Sequence, residues 1–205
     1  MSVATLLAAP RRWVRALYDW TIRWADTSWG LTALFVISFA ESSFFPIPPD
    51  VLLIAIVAAN SRRWLRAGLL ATSGSVFGAM LGYYIGAALM ATLGESIVAF
   101  YGAEAHWDRV VEIYTGPVGI LFLAGAAFTF IPFKVATIAA GATGMPFVPF
   151  LVVSTLGRAL RFFLVAGLLR LFGAPIRAFI ERHFDVMALA FLVLLIGGFL
   201  LVGML

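Results

Sequence analysis

The sequence contains no cysteine, which rules out a disulfide, a thiolate nucleophile and a sulfur-ligated metal, and leaves the redox compartment open. Histidine occurs only at His106 and His183, far apart in polar connections, so neither a metal site nor a cofactor is expected. Charged residues make up just 12% of the chain, and the only lysine is Lys134. The arginines sit beside apolar segments and lack the interleaved polar surface of a nucleic-acid binder, so nucleic acid is not an expected partner.

What fills the chain instead is apolar. Hydrophobic residues reach 63% and the mean hydropathy is +1.04, far outside the range of soluble domains. The sequence describes an integral membrane protein, and 205 residues hold only a handful of spans, so a single membrane domain over 1–205 is expected. The net charge of +4 reads as cytoplasmic loop charge. At the N-terminus the apolar stretch Val3 to Ala9 precedes the arginines, the reverse of a signal-peptide layout.

Two proline-broken segments carry the most information. Residues Phe44 to Ala55 and Phe128 to Ala139 superimpose at an offset of 84, with Phe44, Ile47, Pro48, Val51, Ile54 and Ala55 each meeting the same residue type. Asp50 falls opposite Lys134, so both copies carry a charge beside the break. The breaks are made by Pro46, Pro48, Pro49 and Pro132. A helix broken inside an apolar stretch frees backbone polar groups that lipid cannot satisfy, so such breaks persist only in a protein interior or along a watery cavity. Paired breaks in corresponding halves point to a central transport site.

The remaining pattern predicts an all-α integral membrane protein built as an inverted repeat. Residues 1–29 hold an interfacial helix, with Trp13, Leu17, Trp20 and Trp24 on its apolar stripe. Repeat 1 (30–93) is a re-entrant hairpin followed by a span over Ala67 to Leu93. Its arms, about 15 and nine residues, are too short for a core of about 30 Å, and both flanks are rich in arginine. An outer amphipathic connection (94–117) carries Glu95, Glu104, Asp108 and Glu112 against Arg109. Repeat 2 (118–171) is a hairpin entered from outside, followed by the span Phe147 to Leu169. Residues 172–205 supply a cytoplasmic connection with Arg177 and Arg182, and a final span from Val186 to Leu205. Thr72 and Gly74 meet Thr155 and Gly157 at an offset of 83, so the match continues into the spans.

Arg158 and Arg161 stand three apart near the middle of the second span, and Ser154 shares their face. Arginine at mid-span costs roughly 2.5 to 3.5 kcal/mol, so the pair must face a partner or a cavity. It is either a buried ion pair that locks the bundle or an anion site, since two guanidinium forks suit phosphate oxygens. Glu41 and Asp50 flank the first break. A carboxyl group there serves as a proton relay or as a counter-charge to the arginines, and Asp50 also fits as the cap of a short helix starting at Val51. Lys134 either snorkels to the surface or reaches the cavity from outside. Gly74, Gly78, Gly82 and Gly86 form a small-residue face suited to close packing within the chain or in a homo-oligomer.

Three strings, Phe39 to Asp50 (FAESSFFPIPPD), Phe130 to Lys134 (FIPFK) and Gly157 to Phe163 (GRALRFF), resemble the DedA family of membrane proteins and its YqaA-like branch, the VTT-domain type. The likeness runs from about Leu17 to Arg182. It implies a bacterial inner-membrane protein with two opposed re-entrant hairpins and a cytoplasmic N-terminus, related to lipid scramblases. Its members are associated with moving polyprenyl phosphate or phospholipid headgroups and with dependence on the proton-motive force. By this resemblance Glu41 and Asp50 match the hairpin acids, and Arg158 and Arg161 the basic pair. Many members carry an arginine where this chain has Thr129.

The leading expectation is therefore a flippase or scramblase of an anionic lipid phosphate, in which Arg158, Arg161 and Lys134 hold the phosphate while Glu41 and Asp50 exchange protons. A proton-coupled ion or drug transporter and a purely structural membrane protein are the alternatives. An enzyme is not expected, because no histidine lies in a span and Ser73 and Ser75 have no evident base.

Overall fold

The computed structural model describes residues 27, 29–44, 48–129 and 132–173. Apart from Thr27 and Trp29 the expected N-terminal interfacial helix lies outside them, as do Pro46, Arg177, Arg182 and the final span Val186 to Leu205. The described chain is helical: α1 (Gly30–Ser43), α2 (Pro49–Ala59), α3 (Trp64–Leu89), α4 (Glu95–Phe100), α5 (Glu104–Thr115), α6 (Pro117–Phe128), α7 (Phe133–Ala142) and α8 (Phe147–Gly173).

Proline and serine set the boundaries of the short helices. At the end of α1 the Ser43 hydroxyl turns back onto the Phe39 and Ala40 carbonyls, 2.8 and 3.2 Å away, and the proline-rich break follows. Pro49 and Pro117 each occupy the first turn of their helices, where the missing N–H costs nothing and the fixed φ is already helical. Pro132 immediately precedes α7, and Gly144, at φ +70°, ends the turn after it in the left-handed conformation. No proline interrupts Trp64–Leu89, and α3 runs on through a π turn at Met90–Gly94 into α4. A single 3-10 turn, Ser61–Arg63, precedes α3, with the Asn60 side chain accepting from the Arg62 N–H.

The four hairpin helices α1, α2, α6 and α7 have 14, 11, 12 and 10 residues. At 1.5 Å per residue each reaches roughly 15 to 21 Å and falls short of a bilayer core. Only the continuous helix Ser61–Phe100 and α8 are long and apolar enough to cross among the described residues. The pair α5 and α6, bent by 68°, joins them if it counts as one broken span.

Glycine contacts give the helix directions. A Cβ at Gly74 would overlap the Phe35 carbonyl oxygen, and one at Gly78 that of Phe39, so α1 and α3 run in the same direction at van der Waals contact. The chain thus enters through α1, returns through α2 and leaves again along α3. The same helix meets α7 further on: Gly82 faces Thr137, and Gly86 faces Ile138 and Ala142, which again makes the two parallel. The four-residue glycine stripe is therefore spent inside the chain, half on each hairpin.

Burial follows the repeat. One core joins Leu34, Leu52, Leu53, Ile56, Val57, Ala67, Ala71 and Phe162, and another joins Ala79, Leu123, Ala127, Phe133, Ala136, Ala140 and Phe150. At the sequence offsets, Leu52 corresponds to Ala136, Ile56 to Ala140, Ala67 to Phe150 and Phe162 to Ala79, and every one of these is buried. Each long helix contributes to both cores.

Candidate functional site

Between the two cores lies a layer of charge. Arg158, on α8, is 3% exposed and donates from Nη2 to Glu41 Oε2 on α1 at 2.8 Å. Its Nε donates to Ser75 Oγ on α3 at 2.6 Å, and its Cζ stands 4.6 Å from the Phe162 ring centre and 5.0 Å from that of Phe133. Ser75 Oγ lies 2.6 Å from Ser42 Oγ, which donates to the same Glu41 Oε2 at 3.2 Å. Since Ser75 accepts from Arg158, its own proton is directed at Ser42, and the ring closes on one carboxylate oxygen. Glu41 Oε2, the Ser42 and Ser75 hydroxyls and the Nε and Nη2 of Arg158 therefore form one connected network.

One helical turn on, Arg161 is 13% exposed and donates from Nη2 to Asp50 Oδ2 at 2.8 Å, a carboxylate that is itself 21% exposed. Its Nη1 donates to the carbonyl of Phe128 at 3.2 Å and to that of Thr129. These carbonyls lie at the C-terminal end of α6, which carries partial negative charge and favours a cation. Arg161 thus spans the tips of both hairpins: Asp50 in the first turn of α2, and the last carbonyls of α6. Arg158 does the same one turn earlier through Glu41 and the Phe133 ring.

The structure brings Glu41, Asp50, Arg158 and Arg161 together into two ion pairs whose formal charges cancel. It corrects the capping alternative for Asp50. Helix α2 begins at Pro49 with Pro48 as its N-cap, no side chain caps it, and Asp50 lies inside the first turn with its carboxylate on Arg161. Pro48, Pro49 and Pro132 stand at the starts of α2 and α7 as expected from the breaks. Lys134 is in the first turn of α7 and half-buried, and its amine makes no ion pair or hydrogen bond among the described residues. Ser154 is buried one turn from Arg158, but its hydroxyl finds no partner among the described residues. An open cleft of about 500 Å³ lies elsewhere, lined by Met90, Glu95, Glu104, Trp107, Asp108 and Gly144, so the acidic residues of the outer connection are remote from the charge layer.

Ser42, Phe133 and Phe162 are not singled out by the sequence, and Ser75 enters there only as a nucleophile without an evident base. A signal for Ser75 was present: at the offset of 83 that pairs Gly74 with Gly157, Ser75 corresponds to Arg158. The Ser75–Arg158 bond thus joins corresponding positions of α3 and α8.

Short hairpins closing on buried ion pairs between two long helices define an all-α membrane protein. The chain belongs to the VTT-domain, or DedA, family, whose domain matches residues 47–171 and so takes in Asp50, Ser75, Arg158 and Arg161. It is 34% identical to an uncharacterized protein of Haemophilus influenzae over 179 residues, covering 87% of this chain and 92% of that one. An uncharacterized protein of Histophilus somni is 31% identical over 80% of this chain and 87% of its own. A third, from Methanocaldococcus jannaschii, is 29% identical over 65% and 79%. No solved structure matches significantly.

Proposed function

We propose that the protein moves a lipid phosphate, a polyprenyl phosphate or a phospholipid, across the bacterial inner membrane, with its N-terminus in the cytoplasm and proton exchange at the hairpin acids. The observation that carries this reading is Arg161, which bridges both hairpin tips while remaining partly open. A guanidinium held by one carboxylate and two carbonyls can exchange the carboxylate for a phosphate without leaving its place. Protonation of Asp50 from the aqueous side removes its negative charge and frees the fork for phosphate. Loss of that proton restores the ion pair and expels the anion. Arg158 is closed on every side and serves in this scheme as the fixed strut against which Arg161 works, with Glu41 as its counter-charge.

The test is lipid movement in phosphatidylcholine vesicles carrying fluorescently labelled phosphatidic acid, read by dithionite quenching under a pH gradient. Arg161→Lys keeps the charge but not the fork, and the rate should fall about tenfold; Asp50→Asn should make movement independent of the gradient. The cancelling charges favour a second reading, a purely structural clamp between the hairpin tips. A wild-type rate in a folded Arg161→Ala protein would establish the clamp and end the transport role of this residue.

A further inference from the structure

Where α3 begins and α8 ends, one indole carries an arginine from α8 on its ring and is flanked in the chain by three more. Arg170 places its Cζ 5.1 Å from the ring centre of Trp64, with Arg62 and Arg63 just before Trp64 in the chain and Arg66 two residues after it. The indole is set edge-on against Phe163, centres 6.3 Å apart at 89°, and Phe163 in turn lies against Gly68. Among the described residues none of these four guanidinium groups has an ion pair or a side-chain hydrogen bond, in contrast to Arg158 and Arg161. The Trp64 Nε1 is buried and has no acceptor.

Every group here is a donor and none is an acceptor. A ligand that completes the site must bring negative charge and several oxygens, which describes a phosphate. Its source follows from position: tryptophan and arginine at the ends of apolar spans lie at headgroup depth, where anionic lipid is concentrated. We propose that Arg62, Arg63, Arg66, Arg170 and Trp64 Nε1 form a second anion site, which holds the phosphate of an anionic lipid headgroup. It lies nine residues from Arg161 on α8, roughly 14 Å along the helix, and it stands whether or not the central pair transports lipid.

Native mass spectrometry of the detergent-solubilised full chain tests this, with phosphatidic acid, phosphatidylcholine or inorganic phosphate added. The chain should bind its first phosphatidic acid at least fivefold more tightly than phosphatidylcholine. Arg66→Gln with Arg170→Gln should weaken that first adduct about tenfold, and Trp64→Phe, which keeps the ring and removes the donor, about threefold. Arg161→Gln should leave the first adduct in place, which separates this site from the central one. Equal binding of the two lipids would overturn the proposal, as would loss of the adduct in Arg161→Gln alone. Displacement by millimolar inorganic phosphate would overturn the lipid assignment and leave a soluble-anion site. Should the double variant melt early, Trp64→Phe with Arg62→Gln carries the same test, since Arg62 is exposed.

Discussion

Replacing Arg158 by leucine removes the cation from the closed ring and leaves Glu41, 19% exposed, with the Ser42 hydroxyl as its only donor among the described residues. Breaking a buried pair from one side costs roughly 3 to 5 kcal/mol, because the remaining charge is uncompensated. At about 2 to 4 °C per kcal/mol for a chain of this size, the melting temperature should fall by roughly 6 to 20 °C. Adding Glu41→Leu should recover most of that loss: two apolar side chains can replace a buried pair at little cost, and Ser42 and Ser75 keep each other as partners at 2.6 Å. Arg161→Leu should cost less, roughly 1 to 3 kcal/mol, since Arg161 is 13% exposed against 3% for Arg158 and its loss empties less of the interior. The assay is thermal unfolding of the single and double variants in one detergent, read as a double-mutant cycle. A double variant no more stable than Arg158→Leu, or an Arg161→Leu protein that melts below Arg158→Leu, would refute the division into closed strut and open fork.

Two further outcomes follow from the packing and the chain direction. Gly78→Ala should destabilise by more than about 2 kcal/mol, since its Cβ would overlap the Phe39 carbonyl oxygen where two backbones touch; Gly125→Ala, whose Cβ meets open space, should cost little, and equal melting points for the two would contradict the α1–α3 contact. Because the chain has no cysteine, single cysteines at Ser61 and Ala103 report topology directly: maleimide should reach the first from the cytoplasm and the second from outside, and labelling of both from one side would overturn the crossing of α3.

The helical membrane fold was legible because its signals are local. Composition alone separates an apolar chain from a soluble one, and Pro49, Pro117 and Pro132 fix helix starts through φ and the missing N–H. The error at Asp50 was a matter of two residues. The break was read as ending at Val51, when proline had already begun the helix at Pro49, and that shift turns a cap into a side chain facing α8. Arg158 and Arg161 drew attention because a mid-span guanidinium is costly, yet nothing in their spacing distinguishes one from the other. Their difference arises from what other segments bring: the Phe133 and Phe162 rings and Ser75 close Arg158 to 3% exposure, while Arg161, on the carbonyl end of α6, keeps 13%.

The sequence leaves the acids as proton relays or as counter-charges to the arginines, and the arginines as a buried ion pair or an anion grip; the structure pairs them. Their pairing changes what each can do. In the proposed transport scheme a guanidinium already holding a carboxylate binds phosphate only to the extent that the carboxylate is displaced, which would make anion affinity and carboxylate protonation at Asp50 one equilibrium. By linkage, whatever stabilises protonated Asp50 must favour the bound anion, and the bound anion must favour the proton. Coupling of this kind needs no moving relay between distant groups, only the 2.8 Å contact between Asp50 and Arg161 and a partner able to compete for it.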